Sequence, residues 1–186
     1  MLFAQVQKLA TPEVAFSAIA PVLIMLGGAV VLLVAGSLLP RRPKVSWHAG
    51  MAMATAAAAI AASIPLWFRA RDDGPMRVAA DAVRIDGLAI FLGIVIAGGV
   101  ILTAMLSAGY LRRERLEGPE PYVLLLLSAA GGMMMAGAND LLVLFLGLEI
   151  LSIAVYVLAG IHVRRARSGE AALKYFVLGA FSSAFL

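Results

Sequence analysis

The sequence has no cysteine, two histidines and two tryptophans in 186 residues. Without thiols, a disulfide framework, a thiolate metal site and a cysteine nucleophile are all excluded. His48 and His162 lie at the edges of apolar runs, too far apart in the chain to suggest a metal pair. Charge is also scarce. Charged residues make up 14% of the chain against 62% hydrophobic, and the mean hydropathy is +0.97. Soluble domains carry about 25% charged residues, so a water-soluble bundle would lack the polar faces its helices need. No Gly-rich phosphate loop and no long repeat occurs, although residues 54–62 are strongly alanine-biased.

What remains is apolar. Runs of about 20 residues, long enough to cross a hydrocarbon core of about 30 Å, recur between short polar breaks. The pattern predicts an all-α fold, a polytopic integral membrane helix bundle in one transmembrane domain over residues 1–186. Five complete transmembrane helices plus a truncated sixth are expected, at about 16–39, 47–68, 87–110, 122–138, 141–162 and 170–186. Pro40-Arg41-Arg42-Pro43 ends the first, because proline removes a backbone donor and arginine resists burial. Trp47 and Trp67 bracket the second, at the depth where indoles favour the water–lipid boundary. Arg69–Arg84 reads as a polar loop turning at Asp72-Asp73-Gly74-Pro75. Asp86 is expected to cap the third helix, and Asn139-Asp140 to form a tight turn capping the fifth.

The net charge of +4 fits basic cytoplasmic loops better than a nucleic-acid ligand. The loops after helices one, three and five each carry three basic residues: Arg41, Arg42 and Lys44; Arg112, Arg113 and Arg115; Arg164, Arg165 and Arg167. The opposite side carries only Lys8, Arg69, Arg71, Arg77 and Arg84. This asymmetry puts the three clusters in the cytoplasm and the N-terminus outside, in a multi-pass membrane protein. Met1–Pro12 has no basic segment ahead of its apolar stretch, so the first helix is expected to be a retained signal-anchor.

Two ionisable residues fall inside the expected spans, Glu149 and Lys174. A charge at the bilayer centre costs about 2.5–3.5 kcal/mol even on lenient scales, so each needs a reason. Ser152 and Tyr156 follow Glu149 at i+3 and i+7, which makes a polar stripe on one helix face. A carboxyl between desolvation, which favours its neutral form, and a cation, which favours its charged form, suits a proton relay. The alternative is a neutral or paired glutamate that ties helices together. Lys174 follows Glu170 at i+4, the favourable order for a surface ion pair, and lies near enough to the helix start to snorkel. At ~1.5 Å per residue Glu149 lies much deeper than Lys174, which argues against a direct bridge between them. The basic partner of Glu149 is expected beyond Leu186.

The stretch from Asn139-Asp140 through Gly147-Leu148-Glu149, Ser152 and Tyr156 resembles the fifth helix of the antiporter-like subunits of respiratory complex I. Glu170-Ala-Ala-Leu-Lys174-Tyr175-Phe176, ending in Ser182-Ser183-Ala-Phe-Leu, resembles their sixth. Val83-Arg84-Ile85-Asp86-Gly87 also suits the family. Leu148, where other branches carry Trp, favours the branch named N. The resemblance implies a proton-translocating subunit of the membrane arm of NADH-quinone oxidoreductase, with Glu149 and Lys174 on the family's functional glutamate and lysine. It implies that no cofactor is bound by this chain, while NADH, FMN, iron–sulfur clusters and quinone serve the parent complex. The implied partners are the other membrane subunits, the bilayer and the quinone pool through the complex, and no nucleic acid. Family members continue into broken helices with channel lysines, so this chain is expected to be the first part of a longer subunit. The sequence also allows two other readings: a subunit of an Mrp-type sodium/proton antiporter, without electron transfer, and a structural membrane scaffold.

Overall fold

The computed structural model describes residues 15–38, 45–116 and 118–185. The expectations for Met1–Pro12 and for the break at Pro40-Arg41-Arg42-Pro43 lie outside the described residues. Within them the chain forms α1 (Ala20–Leu38), α2 (Val45–Asp72), a hairpin of β1 (Met76–Val78) and β2 (Val83–Ile85), α3 (Gly87–Arg113), α4 (Glu120–Ala136), α5 (Leu141–Ala159) and α6 (Ala166–Ser183). By length and composition α1, α2, α3 and α5 are apolar enough to cross a membrane. At 17 residues α4 is shorter. The fold is a membrane helix bundle.

The expected caps are in place. Ala89 N–H donates to Asp86 Oδ1 at 2.9 Å, and Val143 N–H donates to Asp140 Oδ1 at 2.7 Å, each satisfying a first-turn donor of its helix. Several boundaries differ from the sequence reading, the start of α1 at Ala20 and the end of α3 at Arg113 among them. The helix α2 runs on to Asp72, its last turn carrying Arg69 and Arg71, whose charges suit the negative end of the helix dipole. Gly160, not His162, closes α5. The sixth helix starts at Ala166 rather than near Glu170. Ser168 lies in its first turn, with its Oγ donating to Ala159 O at 2.6 Å and so joining it to the end of α5.

The segment read as a plain polar loop holds the hairpin. Its strands pair Met76 with Ile85, Arg77 with Arg84 and Val78 with Val83. This hairpin clasps the α4–α5 turn. Arg84 N–H donates to Gly137 O at 2.8 Å, Asn139 N–H to Ala82 O at 3.0 Å, and Asn139 Nδ2 to Asp81 O at 2.7 Å. Its tip holds Ala79, Ala80 and Asp81 at φ of 55°, 56° and 69°, left-handed conformations that non-glycine residues adopt at a cost.

Helices α1 to α4 close into a ring, α1 on α2, α2 on α3, α3 on α4 and α4 back on α1. The core contains Met25, Ala29 and Leu32 of α1, Ala97, Val100 and Ala104 of α3, and Leu126, Ala130 and Met133 of α4. The alanine-rich tract supplies Ala56 and Ala59, which with Ala52 just before it are spaced four and three apart on the inner face of α2 and fully buried. Between apolar helices in lipid the hydrophobic effect gives no drive, and small residues that allow close backbone approach favour association. Outside this ring α5 lies along α4, and α6 packs on α5.

Candidate functional site

The position of α5 follows from its small residues. Val143, Gly147 and Ala154 are buried on the face toward α4. A β-carbon at Gly147 would meet Met135 N at 2.9 Å and Gly131 O at 3.0 Å, and one at Gly131 would meet Leu151 N at 2.5 Å. The two backbones therefore touch, and only glycine fits at either point.

Glu149 lies two residues, about 200° of helix rotation, from Gly147, and so faces away from α4. The same face carries Ser152 and Tyr156, and all three are half-buried. Tyr156 identifies what the stripe faces. Its ring packs edge-on against Tyr175 and Phe176 of α6, with centroids 5.0 and 5.7 Å away. Its hydroxyl end lies over Gly179, where an added β-carbon would collide with it. The polar stripe thus faces the α6 side of the molecule, outside the four-helix ring.

The register between α5 and α6 sets the depth of the two ionisable groups. Gly160 lies against Ala172, and Tyr156 against Tyr175, Phe176 and Gly179, as expected of antiparallel neighbours. Extending that register puts Glu149 level with Ser183, about nine residues or ~14 Å along the axis from Lys174. The structure does not bring the two together. Lys174 Nζ instead donates to Glu170 Oε1 at 2.5 Å, with the two side chains 70% and 60% exposed. Among the described residues no side chain forms an ion pair with Glu149.

A second polar cluster was not visible in the sequence, because its members are 48 and 51 residues apart. Glu114, just past the end of α3, accepts at Oε2 from His162 Nε2 at 3.1 Å and from Arg165 Nη2 at 2.6 Å. The His162 and Glu114 side chains are only 17% and 20% exposed. The hydrogen bond from His162, helped by the charge and hydrogen bond of Arg165, holds the Glu114 carboxyl below its ordinary range against the opposing effect of desolvation. Among the described residues no group of three His, Asp or Glu side chains is placed to hold a metal ion.

With the geometry in hand, comparison places the chain. Residues 138–186, which hold α5, α6 and Glu149, match the family described as "NADH:quinone oxidoreductase/Mrp antiporter, TM". NADH-quinone oxidoreductase subunit N 2 of Roseiflexus castenholzii is 36% identical over 183 residues, covering 98% of this chain and 35% of that protein. Subunit N of Deinococcus radiodurans is 37% identical over 183 residues, covering 96% of this chain and 36% of its own length. Respiratory complex I from Thermus thermophilus with bound aureothin contains a chain that superposes with a TM-score of 0.71 at 28% identity, over 89% of this chain and 34% of that one. The chain spans about a third of the length of these relatives. It belongs to the antiporter-like membrane subunits of NADH-quinone oxidoreductase. Within that family it groups with the subunit N sequences.

Proposed function

We propose that the chain serves as part of a proton-translocating membrane-arm subunit of NADH-quinone oxidoreductase, in which Glu149 binds a proton in transit. The observation that carries this reading is the placement of Glu149. It is a half-buried carboxylate inside an apolar span, on a stripe with Ser152 and Tyr156, without an ion-pair partner among the described residues. An intramembrane carboxylate of this kind marks an ion pathway more often than a brace.

Lys174 has a different place in this reading. Its bond to Glu170 supports a charge pair at the aqueous end of α6, and any part it takes in proton transfer requires that pair to open. All six helices cross or enter the bilayer, with the N-terminus outside and the ends near Glu114 and His162 in the cytoplasm of a bacterial cell. The oxidation of NADH and the reduction of quinone, with FMN and iron–sulfur clusters, belong to other subunits, and this chain binds none of these groups.

Replacing Glu149 by Gln in the complete subunit, within the assembled complex in membrane vesicles, tests the reading. Proton pumping driven by NADH should fall sharply while the amount of assembled complex holds. Unchanged pumping with an unchanged pH response would leave the scaffold reading instead. Co-purification with flavin and iron–sulfur proteins separates this assignment from an Mrp-type antiporter.

A further inference from the structure

Among the described residues, His162 is bonded to a carboxylate through one ring nitrogen and enclosed at the other. Its Nε2 is fixed on Glu114 Oε2, which also takes the hydrogen bond of Arg165. Its Nδ1 is enclosed and has no hydrogen-bond partner among the described residues. An enclosed ring nitrogen without a protein partner is a place for an ordered water. The ring sits three residues past the end of α5, so it stands at the aqueous end of the helix that carries Tyr156, Ser152 and Glu149.

We propose that the Glu114–His162 pair is a proton-binding site that loads the α5 stripe from its aqueous end. The reading rests on Glu149 as a proton-carrying group. In the neutral ring Nε2 keeps its hydrogen and donates it to Glu114 Oε2, and Nδ1 presents a lone pair to water. Uptake starts from a hydronium ion on the aqueous side: one O–H bond of the enclosed water breaks as the N–H bond at Nδ1 forms, and that water takes a replacement proton from the hydronium, which is left as water. The imidazolium so formed has the Glu114 carboxylate at 3.1 Å as its counter-charge. Release breaks the Nδ1–H bond and returns the proton to that water, which becomes hydronium and hands the proton on toward Tyr156.

The surrounding charges define what this pair does. From α3 come Glu114 itself and the exposed Arg112, Arg113 and Arg115, from the α5–α6 connection Arg164 and Arg165, and from α6 Arg167. Of the cations, Arg165 makes the ion pair with Glu114. It shares the carboxylate with His162, which limits how firmly the imidazolium is held and so favours release. The partners of Glu114 favour its ionised form, so the proton is bound at Nδ1, the position of the pair that has no protein partner among the described residues.

The test uses the assembled complex in membrane vesicles, with pumping measured as a function of pH. H162Q keeps an amide donor for Glu114 but cannot bind the proton. H162A leaves space that imidazole added to the buffer can fill. Both variants should pump normally in mild acid and lose rate several-fold above neutral pH, where protons are scarce. Added imidazole should restore H162A but not H162Q. Wild-type pH profiles in both variants would overturn the proposal, as would a loss in H162A that imidazole does not restore. E149Q run alongside separates the two readings. If E149Q stops pumping while the His162 variants are silent, only the loading site fails. If E149Q pumps normally, the reading beneath it fails.

Discussion

Gly131 of α4 and Gly147 of α5 meet backbone to backbone, closely enough that a β-carbon on either would run into main-chain atoms of the other helix. That contact fixes the rotation of α5 and therefore the direction in which Glu149 points. Gly147→Ala or Gly131→Ala should destabilise the bundle by about 1–3 kcal/mol, the usual effect of overpacking. Gly98→Ala in α3, where an added β-carbon meets nothing within 4 Å, should be neutral or stabilising by up to about 1 kcal/mol. Thermal unfolding in detergent would compare the three.

Gly179→Val should loosen α6 from α5, because the new side chain occupies the space of the Tyr156 ring. Single-cysteine labelling, simple in a cysteine-free chain, reads this out. Ala172→Cys, half-buried on the α5 side of α6, should label faster in the Gly179→Val background, and an equal rate would show that the aromatic contact does not hold α6.

Asp140→Ala removes the acceptor for Val143 N–H and should cost about 1 kcal/mol. Asn139→Ala removes the side-chain bond to Asp81 O while the main-chain bonds of the clasp remain, with a loss of similar size, about 1 kcal/mol. At the tip itself, Ala80→Gly should raise stability by up to about 1 kcal/mol, by relieving a left-handed φ of 56°. Melting temperatures of the three single variants check these signs.

The cluster at Glu114 gives a pH dependence with a definite direction. Its carboxyl pKa is lower in the folded protein than in the unfolded chain. The stabilisation is therefore complete above the ordinary glutamate value, and is lost as acid titrates the group through its lowered folded value. Glu114→Gln should flatten the acid limb of a melting-temperature profile and leave the profile near neutral pH with little slope from this site.

Much of the fold was legible because lipid demands long apolar runs and because Asp86 and Asp140 mark helix starts plainly. The hairpin was not, since its strands are three residues each and depend on hydrogen bonds from Gly137 and Asn139, more than fifty residues away. The alanine tract stood out as composition, but its meaning as the inner face of α2 needed the ring of helices around it. At the candidate site the α5 stripe was readable from helical spacing, and the Glu170–Lys174 pair from an i+4 rule. The Glu114, His162 and Arg165 cluster was hidden, because a tertiary contact between loops leaves no periodicity in the chain.

The hairpin clasp gives the molecule two unlike ends. At one, the α2–α3 and α4–α5 connections are sewn together by main-chain hydrogen bonds that acid and base do not titrate. At the other, α3 meets the start of α6 through one carboxylate. Acid therefore leaves the first end as it is and can loosen only the second, so the grip of α3 on the start of α6 is the one that depends on protonation.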